Sequence, residues 1–593
     1  MEQPSSSDPL FLDPVAFQEY AANVTKAALI GQQAIVESLA GSDPAAALQA
    51  RSFQAPSNLL NPSRFATTDP QRWFAAQGEL VDASFKIWRD TYEAALGAGK
   101  ESKDKRFAGE AWRQPGFEAL RQGYQAAAGW LNAVAKHTDL GDPKMNRRVQ
   151  FFTKVLTDLF SPSNFLASNP EALAEAARTR GESLVRGMEN FAADLKRGGG
   201  QLAISQTDMS KFEVGKNLAV SPGKVVFQNE LLQLIQFSPA TEQVRETPLL
   251  IATAFINKYY ILDLQPANSM IKWLTEQGFT VFVTSWVNPD ARHASMTFAD
   301  YMAKGLLTAM DKVMEQCGTG HVNVVGYCIS GTLLASTLAY LAAKGADSVV
   351  SSATFFAAQQ DFTEPGDLAL LVSEDSFAEI ERRMDSAGGV LPGSSMAEAF
   401  NLLRANDLIF SFLVNNYLMG KQPKAFDLLF WNSDQTRIPK ALGLWYLRSF
   451  YQDNLLSKGQ LELVGERLDL SKVTTPVFVQ SAREDHIAPA ESVYRGARLF
   501  GGPTTFILAG SGHIAGVVNH PAANKYQYWS NEAQPDSFEA WKDKAVETRG
   551  SWWPIWAEWL HQRSGEMVPA RDPAAGPLTV IEDAPGAYVK VMS

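Results

Sequence analysis

Cys328 stands in a sequence that fits a nucleophile on a tight turn between a strand and a helix. The apolar run His321 to Val325 leads directly into Gly326-Tyr327-Cys328-Ile329-Ser330-Gly331, and a helical pattern follows. Such a turn requires small neighbours, and the start of the following helix favours a thiolate. The pattern therefore predicts acyl transfer through Cys328. It departs from the usual one at Ser330, where Gly is expected, and a buried, inert cysteine is the alternative.

Two later segments supply partners for this thiol. Asp485 lies in Arg-Glu-Asp-His after the strand-like TPVFVQSA, and His513 lies in Ser-Gly-His after TTFILAG. The order nucleophile, acid, histidine is that of an α/β-hydrolase triad. We expect His513 to take the Cys328 proton and Asp485 to fix the imidazole tautomer. Glu484 is the alternative acid, whereas His486 is adjacent to Asp485 and is interpreted as structural.

An oxyanion hole is expected beside the nucleophile. The backbone amide that follows the nucleophile, that of Ile329, is one predicted donor. The second is the amide of Ile256, because the segment Phe255 to Tyr260 follows the first strong strand of this half of the chain.

Alternating strands and helices must position these residues. Short apolar runs predict strands, and they are separated by helical stretches such as Met270 to Gln277 and Met302 to Gln316. This pattern predicts a mostly parallel sheet, which brings the ends of the strands to one edge. Residues 361–447 lose the strand pattern and are interpreted as a cap over the site. The predicted strands are Leu249 to Ile256, Thr280 to Trp286, Val322 to Val325, Val349 to Phe356, Val477 to Gln480 and Thr505 to Leu508.

The first 205 residues have a different character. Helical patterns run over Gln71 to Leu96, Phe117 to Val134 and Arg147 to Phe160, and another starts after a predicted N-cap at Asn169 and continues toward Leu195. The glycines 198–200 indicate a break. The predicted fold is therefore α/β: an all-α domain at 1–205 precedes an α/β-hydrolase core at 206–593 that carries the cap.

Composition excludes several classes of function. The net charge of −11 and the pI of about 5.3 argue against nucleic acid as a partner. The two cysteines, Cys317 and Cys328, form neither a disulfide framework nor a metal-binding pattern, so no metal is expected. No run approaches the roughly 18 apolar residues of a membrane span. The N-terminus does not resemble a signal peptide, and we expect a cytoplasmic protein.

Many motifs agree, in order, with one family. The chain resembles class I polyhydroxyalkanoate synthases from about Arg106 onward. The motifs are RFAGEAW, SPSNFLASNPE, ELLQLIQFSP, FINKYYILDLQPANS, SWVNPD, GYCISGT, FDLLFWNSD, REDHIAP, SGHIAGVVN, PAANKYQYW, GSWWP and GAYVKV.

The resemblance implies polymerisation of (R)-3-hydroxyacyl-CoA into polyester, with release of coenzyme A and with the chain carried as a thioester on Cys328. It implies that His513 activates the thiol and that Asp485 helps to activate the 3-hydroxyl of the incoming unit. For Trp431 it suggests an oligomer contact, with buried packing in the cap as the alternative.

The resemblance also implies partners and a location. A homodimer, attachment to the surface of the polyester granule, and granule-associated proteins are expected, and the class I pattern favours short 3-hydroxyacyl units. No cofactor is expected besides the coenzyme A of the substrate. Two alternatives stay open: a Cys-dependent hydrolase, which is a polyester depolymerase or a thioesterase, and a non-catalytic protein of the granule surface.

Overall fold

The chain divides into two compact units. The computed structural model describes residues 13–41, 78, 89 and 102–592. One unit comprises Met1–Asp208 and Phe400–Ala425, and the other comprises Met209–Ala399 and Phe426–Ser593. Residues 400–425 thus group with the N-terminal residues, whereas the sequence pattern predicts that they belong to the cap.

The first unit is helical in its described part. Asn169 caps a helix as predicted, because its side chain accepts hydrogen bonds from the amides of Glu171 (3.0 Å) and Ala172 (3.1 Å). The single helix predicted after it is broken at Gly181, where φ is +81°. Most of the predicted helix 71–96 lies outside the described residues. The helices are Pro14–Gly41, Pro115–His137, Pro143–Leu159, Pro170–Arg178 and Glu182–Arg197, with π-helical turns at Asn406–Phe410 and Leu413–Leu418.

The second unit is built on an 11-stranded sheet with the order β15-β14-β13-β12-β7-β6-β4-β5-β2-β1-β17. In chain order, the strands of this unit are β1 (Gly223–Gln228), β2 (Leu232–Phe237), β3 (Gln243–Arg245), β4 (Leu249–Ala252), β5 (Val281–Trp286), β6 (Val322–Tyr327), β7 (Val350–Phe356), β8 (Val390–Leu391), β9 (Ile438–Pro439), β10 (Glu462–Leu463), β11 (Glu466–Arg467), β12 (Val477–Ala482), β13 (Thr504–Ala509), β14 (Gln527–Ser530), β15 (Val546–Arg549), β16 (Met567–Pro569) and β17 (Glu582–Asp583).

The six central strands, from β13 to β5, are parallel, and the strands beyond them on both sides are antiparallel. Alternate side chains of the central strands enter two separate apolar clusters; Leu250 and Val324 belong to one, and Ile251 and Val325 to the other. Both faces are therefore covered, which explains why these strands are apolar throughout. Their carboxyl ends meet at one edge, where β4 ends beside β6 and β12 ends beside β13.

Helices cover the two faces of the sheet. The part of the predicted cap that belongs to this unit is largely helical. None of the described helices has both the length and the apolar character needed to cross a membrane. The main helices of this unit are Met270–Glu276, Thr308–Cys317, Ile329–Ala343, Glu374–Ser386, Asp427–Ser433, Lys440–Tyr446, Ala490–Ala497, Phe538–Asp543 and Trp553–His561.

Candidate active site

Cys328 occupies a strained turn between β6 and the helix Ile329–Ala343. Its φ of 54° and ψ of −125° lie in a region that side-chain-bearing residues rarely adopt. Such a conformation costs about 1–3 kcal/mol and persists only where the surroundings impose it. Here the Cys328 amide donates to the carbonyl of Phe356 on β7 (2.9 Å), and its carbonyl accepts from the Gly331 amide (2.8 Å). The predicted strand-turn-helix at Cys328 is confirmed.

Two glycines allow the helix to approach the sheet at this turn. A Cβ on Gly326 would lie 2.6 Å from Cα of Gly331, and a Cβ on Gly331 would overlap that of Ala358. The helix and the end of β6 can therefore approach each other closely only because both positions lack a side chain. Ser330, the departure from the usual pattern, is fully buried.

His513 and Asp485 form a buried pair at the same edge of the sheet. Nδ1 of His513 lies 2.7 Å from Oδ2 of Asp485, and both residues are buried. Oδ1 of Asp485 accepts hydrogen bonds from the amides of Ile487 (2.8 Å) and Ala488 (2.9 Å). The carboxylate is thus fixed on one side by the backbone and presents its other oxygen to the imidazole.

The imidazole of His513 interacts with Cys328 as well. Burial by itself lowers the pKa of His513, but the charges of Asp485 and Cys328 and hydrogen bonds to both raise it well above its ordinary 6.5. Because Nδ1 is bonded to Asp485, Nε2 is the nitrogen available to the sulfur. The structure therefore brings the three predicted residues together in the order that general-base activation of a thiol requires.

The competing acid does not lie in this arrangement. Glu484 is exposed, and its backbone amide donates to the carbonyl of Ser511 (2.9 Å). The carboxylate of Asp485 binds His513 and not the adjacent His486. Among the residues that the structure describes, no cluster of His, Cys, Asp and Glu is suited to a metal ion.

The loop that carries His513 is fixed by two indoles, which the sequence pattern does not predict. Trp552 Nε1 donates to the carbonyl of Gly516 (2.7 Å), and Trp553 Nε1 donates to that of Val517 (2.8 Å). Both indoles are buried. The Gly-Ser-Trp-Trp-Pro motif contributed to the family resemblance, and its neighbouring indoles were the available signal for such a structural role.

The two predicted oxyanion donors lie on segments that leave adjacent strands. Ile329 is the first residue of its helix, so its amide has no acceptor within that helix. Ile256 lies in a buried turn four residues beyond the end of β4, and no described residue accepts a hydrogen bond from its amide. Ala252 at the end of β4 pairs with Gly326 of β6, which sets this turn beside the nucleophile elbow.

Two tyrosines lie near the thiol. Tyr446 and Tyr451 lie close enough that the Cys328 charge adds to burial in raising the pKa of both phenols. The Tyr446 hydroxyl donates to Oγ1 of Thr332 (3.3 Å), and the ring of Tyr451 lies 5.1 Å from that of Phe362. Cys328 also packs against both apolar clusters of the sheet, which would help to shield a thioester from water.

Trp431 is an interior residue of the second unit. Its side chain is buried, and Nε1 donates to the carbonyl of Lys258 (2.8 Å). Lys258 belongs to the loop that contains Ile256. The described contacts of Trp431 are those of buried packing beside the predicted oxyanion loop.

Known proteins match most of this chain. Residues 103–274 match the model of the N-terminus of poly-beta-hydroxybutyrate polymerase, and residues 247–519 match that of the alpha/beta hydrolase fold. A poly(3-hydroxyalkanoate) polymerase subunit of Rhizobium meliloti is 46% identical over 90% of this chain and 88% of its own. The poly(3-hydroxyalkanoate) polymerase of Methylorubrum extorquens is 44% identical over 97% of this chain and 98% of its own.

Among solved structures, a monoacylglycerol lipase of Paleococcus ferrophilus overlaps 56% of this chain and 99% of its own, with 14% identity and a TM-score of 0.32. The strand order and the family model, and not this overlap, carry the assignment of an α/β-hydrolase core. With the identities and coverage of the polymerase relatives, they place the sequence in one family. The chain belongs to the poly(3-hydroxyalkanoate) polymerase family of acyltransferases.

Proposed function

We propose that this enzyme polymerises (R)-3-hydroxyacyl-CoA into polyester with release of coenzyme A, through acyl groups carried on Cys328. The observation that carries the proposal is the line of side chains formed by the buried Asp485 and His513 and the half-buried Cys328. The names of the related poly(3-hydroxyalkanoate) polymerases support a polyester of 3-hydroxyacyl units as the product. Coenzyme A arrives as part of the substrate, and the proposed steps use no other cofactor or metal.

The first step is thioester exchange. His513 accepts the thiol proton, and the Cys328 sulfur attacks the thioester carbonyl carbon of the substrate. The amides of Ile329 and Ile256 stabilise the negative oxygen of the tetrahedral intermediate. The bond from carbon to the coenzyme A sulfur then breaks, and the His513 imidazolium returns the proton to the departing thiolate.

Chain growth adds an ester bond. The 3-hydroxyl oxygen of one hydroxyacyl unit attacks the carbonyl of an acyl-Cys, and its proton passes to the imidazole with the help of Asp485. The carbon–sulfur bond breaks and the thiol is regenerated. A thioester on Cys328 suits both steps. Its formation from the substrate thioester is nearly balanced in energy, and its acyl group stays reactive toward a hydroxyl.

We also propose that the enzyme acts at the surface of the polyester as a homodimer in the cytoplasm, with granule-associated proteins as further partners. The resemblance supports this, and so do exposed apolar side chains between Pro115 and Phe165 in the helical unit. They are Leu120, Leu131, Leu156, Leu159, Phe160 and Phe165, each at least 40% exposed.

A Cys-dependent hydrolase, either a depolymerase or a thioesterase, is the second candidate, because the same triad would serve it. Turnover of (R)-3-hydroxybutyryl-CoA, followed by free thiol and turbidity together, separates the two. We expect thiol release with growing turbidity in the wild type and neither signal in Cys328→Ala. Thiol release with only free hydroxy acid would refute the polymerase.

A series of 3-hydroxyacyl-CoA substrates of increasing chain length, with Cys328→Ala as the control, measures the preferred unit. We expect the shortest units to react fastest. If Cys328→Ala stays folded and keeps the wild-type rate of coenzyme A release, the role of the thiol is refuted.

A further inference from the structure

Ser330 makes a hydrogen bond that the usual glycine at this position could not make. It is the second residue of the helix that follows the nucleophile, and its side chain is fully buried. Its hydroxyl donates to the backbone carbonyl of Thr253 at 2.6 Å. The bond joins two segments that are 77 residues apart in the sequence.

Thr253 is the first residue after β4 and is fixed from both sides. Its carbonyl also accepts from Nε1 of Trp286 on β5 (2.7 Å). Its amide donates to Oγ1 of Thr284 (3.2 Å), and its hydroxyl donates to the carbonyl of the same residue (2.8 Å). All of these groups are buried. Of the bonds at this residue, that from Ser330 is the one that leads to the nucleophile elbow.

The two segments joined by this bond carry the two predicted oxyanion donors. Ile329 precedes Ser330 in the chain, and Ile256 lies three residues after Thr253. A carbonyl oxygen that becomes negative must be met by both amides at hydrogen-bonding distance, and small displacements of a donor reduce the rate. The distance between the two segments should therefore affect the rate of acylation.

We propose that Ser330 is a positioning residue, which holds the loop of Ile256 at the distance from the Ile329 amide that the thioester oxyanion requires. The inference rests on the proposed function, because it concerns the acylation of Cys328. The serine hydroxyl does not touch the substrate; it acts through the carbonyl of Thr253.

The test compares two reactions of the same sulfur. Acylation by (R)-3-hydroxybutyryl-CoA passes through an oxyanion, whereas alkylation by iodoacetamide does not. We measure the single-turnover release of coenzyme A and the rate of alkylation of Cys328 in Ser330→Ala and Ser330→Gly. Ser336→Ala is the matched control, because Ser336 is a buried serine of the same helix whose hydroxyl donates to the carbonyl of Thr332 (2.9 Å).

We expect the rate of coenzyme A release to fall about tenfold in both Ser330 variants. This is less than the loss of about 10²- to 10³-fold in rate that follows removal of a whole oxyanion donor, because the donor is displaced and not removed. The rate of alkylation should stay within about twofold of wild type. The variants should fold, because Trp286 still donates to the freed carbonyl. Trp286→Phe, which removes the other donor to that carbonyl, should produce the same separation of the two rates.

Wild-type release of coenzyme A in both Ser330 variants would overturn the inference, and so would a parallel fall of both rates, which would place the effect at the elbow itself. A tenfold loss in Ser336→Ala would overturn it as well. These results differ from failure of the proposed function, in which the wild type itself would release no coenzyme A.

Discussion

Replacement of Asp485 by asparagine should reverse the tautomer of His513. Oδ1 of Asp485 accepts from two backbone amides, and Oδ2 faces Nδ1 of His513. The oxygen of an asparagine would stay with the two amides, because the flipped amide would leave both donors unpaired, at about 1–3 kcal/mol each. Its NH₂ group would then donate to Nδ1, so the proton of the imidazole would move to Nε2.

A histidine with its proton on Nε2 cannot take a proton from Cys328. The same inversion in a serine-protease triad lowers kcat by about 10⁴-fold. Loss of the Asp485 charge acts in the same direction, because that charge helps to hold the pKa of His513 above 6.5. We expect Asp485→Asn to lower the rate of coenzyme A release by about 10³- to 10⁴-fold, which corresponds to about 4–5.5 kcal/mol of activation free energy.

The assay follows free thiol from (R)-3-hydroxybutyryl-CoA, with folding checked by circular dichroism. Glu484→Gln is the matched control: it removes the same charge from the neighbouring, exposed position and should keep the wild-type rate within about twofold. A rate for Asp485→Asn within tenfold of wild type would refute the tautomer argument. A large fall in the rate of coenzyme A release in Glu484→Gln would show instead that the total negative charge of this turn, and not the tautomer of His513, controls the rate.

Three further perturbations test the site and its surroundings. Gly331→Ala should destabilise the protein by about 1–3 kcal/mol or prevent folding, because its Cβ has no room, and Gly320→Ala, which faces open space, should not. Burial raises the pKa of Cys317 to about 12, so iodoacetamide at pH 8 should modify one cysteine per native chain, at Cys328, and two in urea. Trp431→Ala should destabilise the enzyme by about 3–5 kcal/mol, and Trp431→Phe should cost less, as measured by urea denaturation.

Each of these expectations can fail in a distinct way. A Gly331→Ala enzyme as stable as the Gly320→Ala enzyme would mean that the helix does not contact the sheet at this point. Labelling of Cys317 at pH 8 in the native chain would contradict its raised pKa. A Trp431→Ala enzyme of unchanged stability that dissociates into monomers would favour the oligomer contact over buried packing.

The catalytic edge of the sheet was predictable because its signals are local. All six predicted strands are present, since strands buried on both faces must be apolar throughout. The predicted boundary is wrong for the strand Leu249 to Ile256, which ends at Ala252. Beyond Ala252 the apolar residues line a buried turn. The periodicity of apolar residues cannot distinguish a buried turn from a buried strand.

The flanking strands and the interior bonds could not be predicted in the same way. β2 reads Leu-Gln-Leu-Ile-Gln-Phe, yet all six residues are buried, including Gln233 and Gln236. Buried glutamines with side-chain partners far along the chain resemble exposed ones in a single sequence. The bond from Ser330 to Thr253 was hidden for the same reason, because it joins residues 77 positions apart.

The indole bonds to the His513 loop have a consequence for the order in which the enzyme becomes competent during synthesis. Nucleophile, acid and base all precede Trp552 and Trp553 in the sequence, and are therefore synthesised first. A nascent chain that ends before these residues carries the complete set of reactive side chains, but the loop of its base lacks two of its buried donors. We therefore expect acyl transfer to begin only once the helix Trp553–His561 has packed and both bonds have formed.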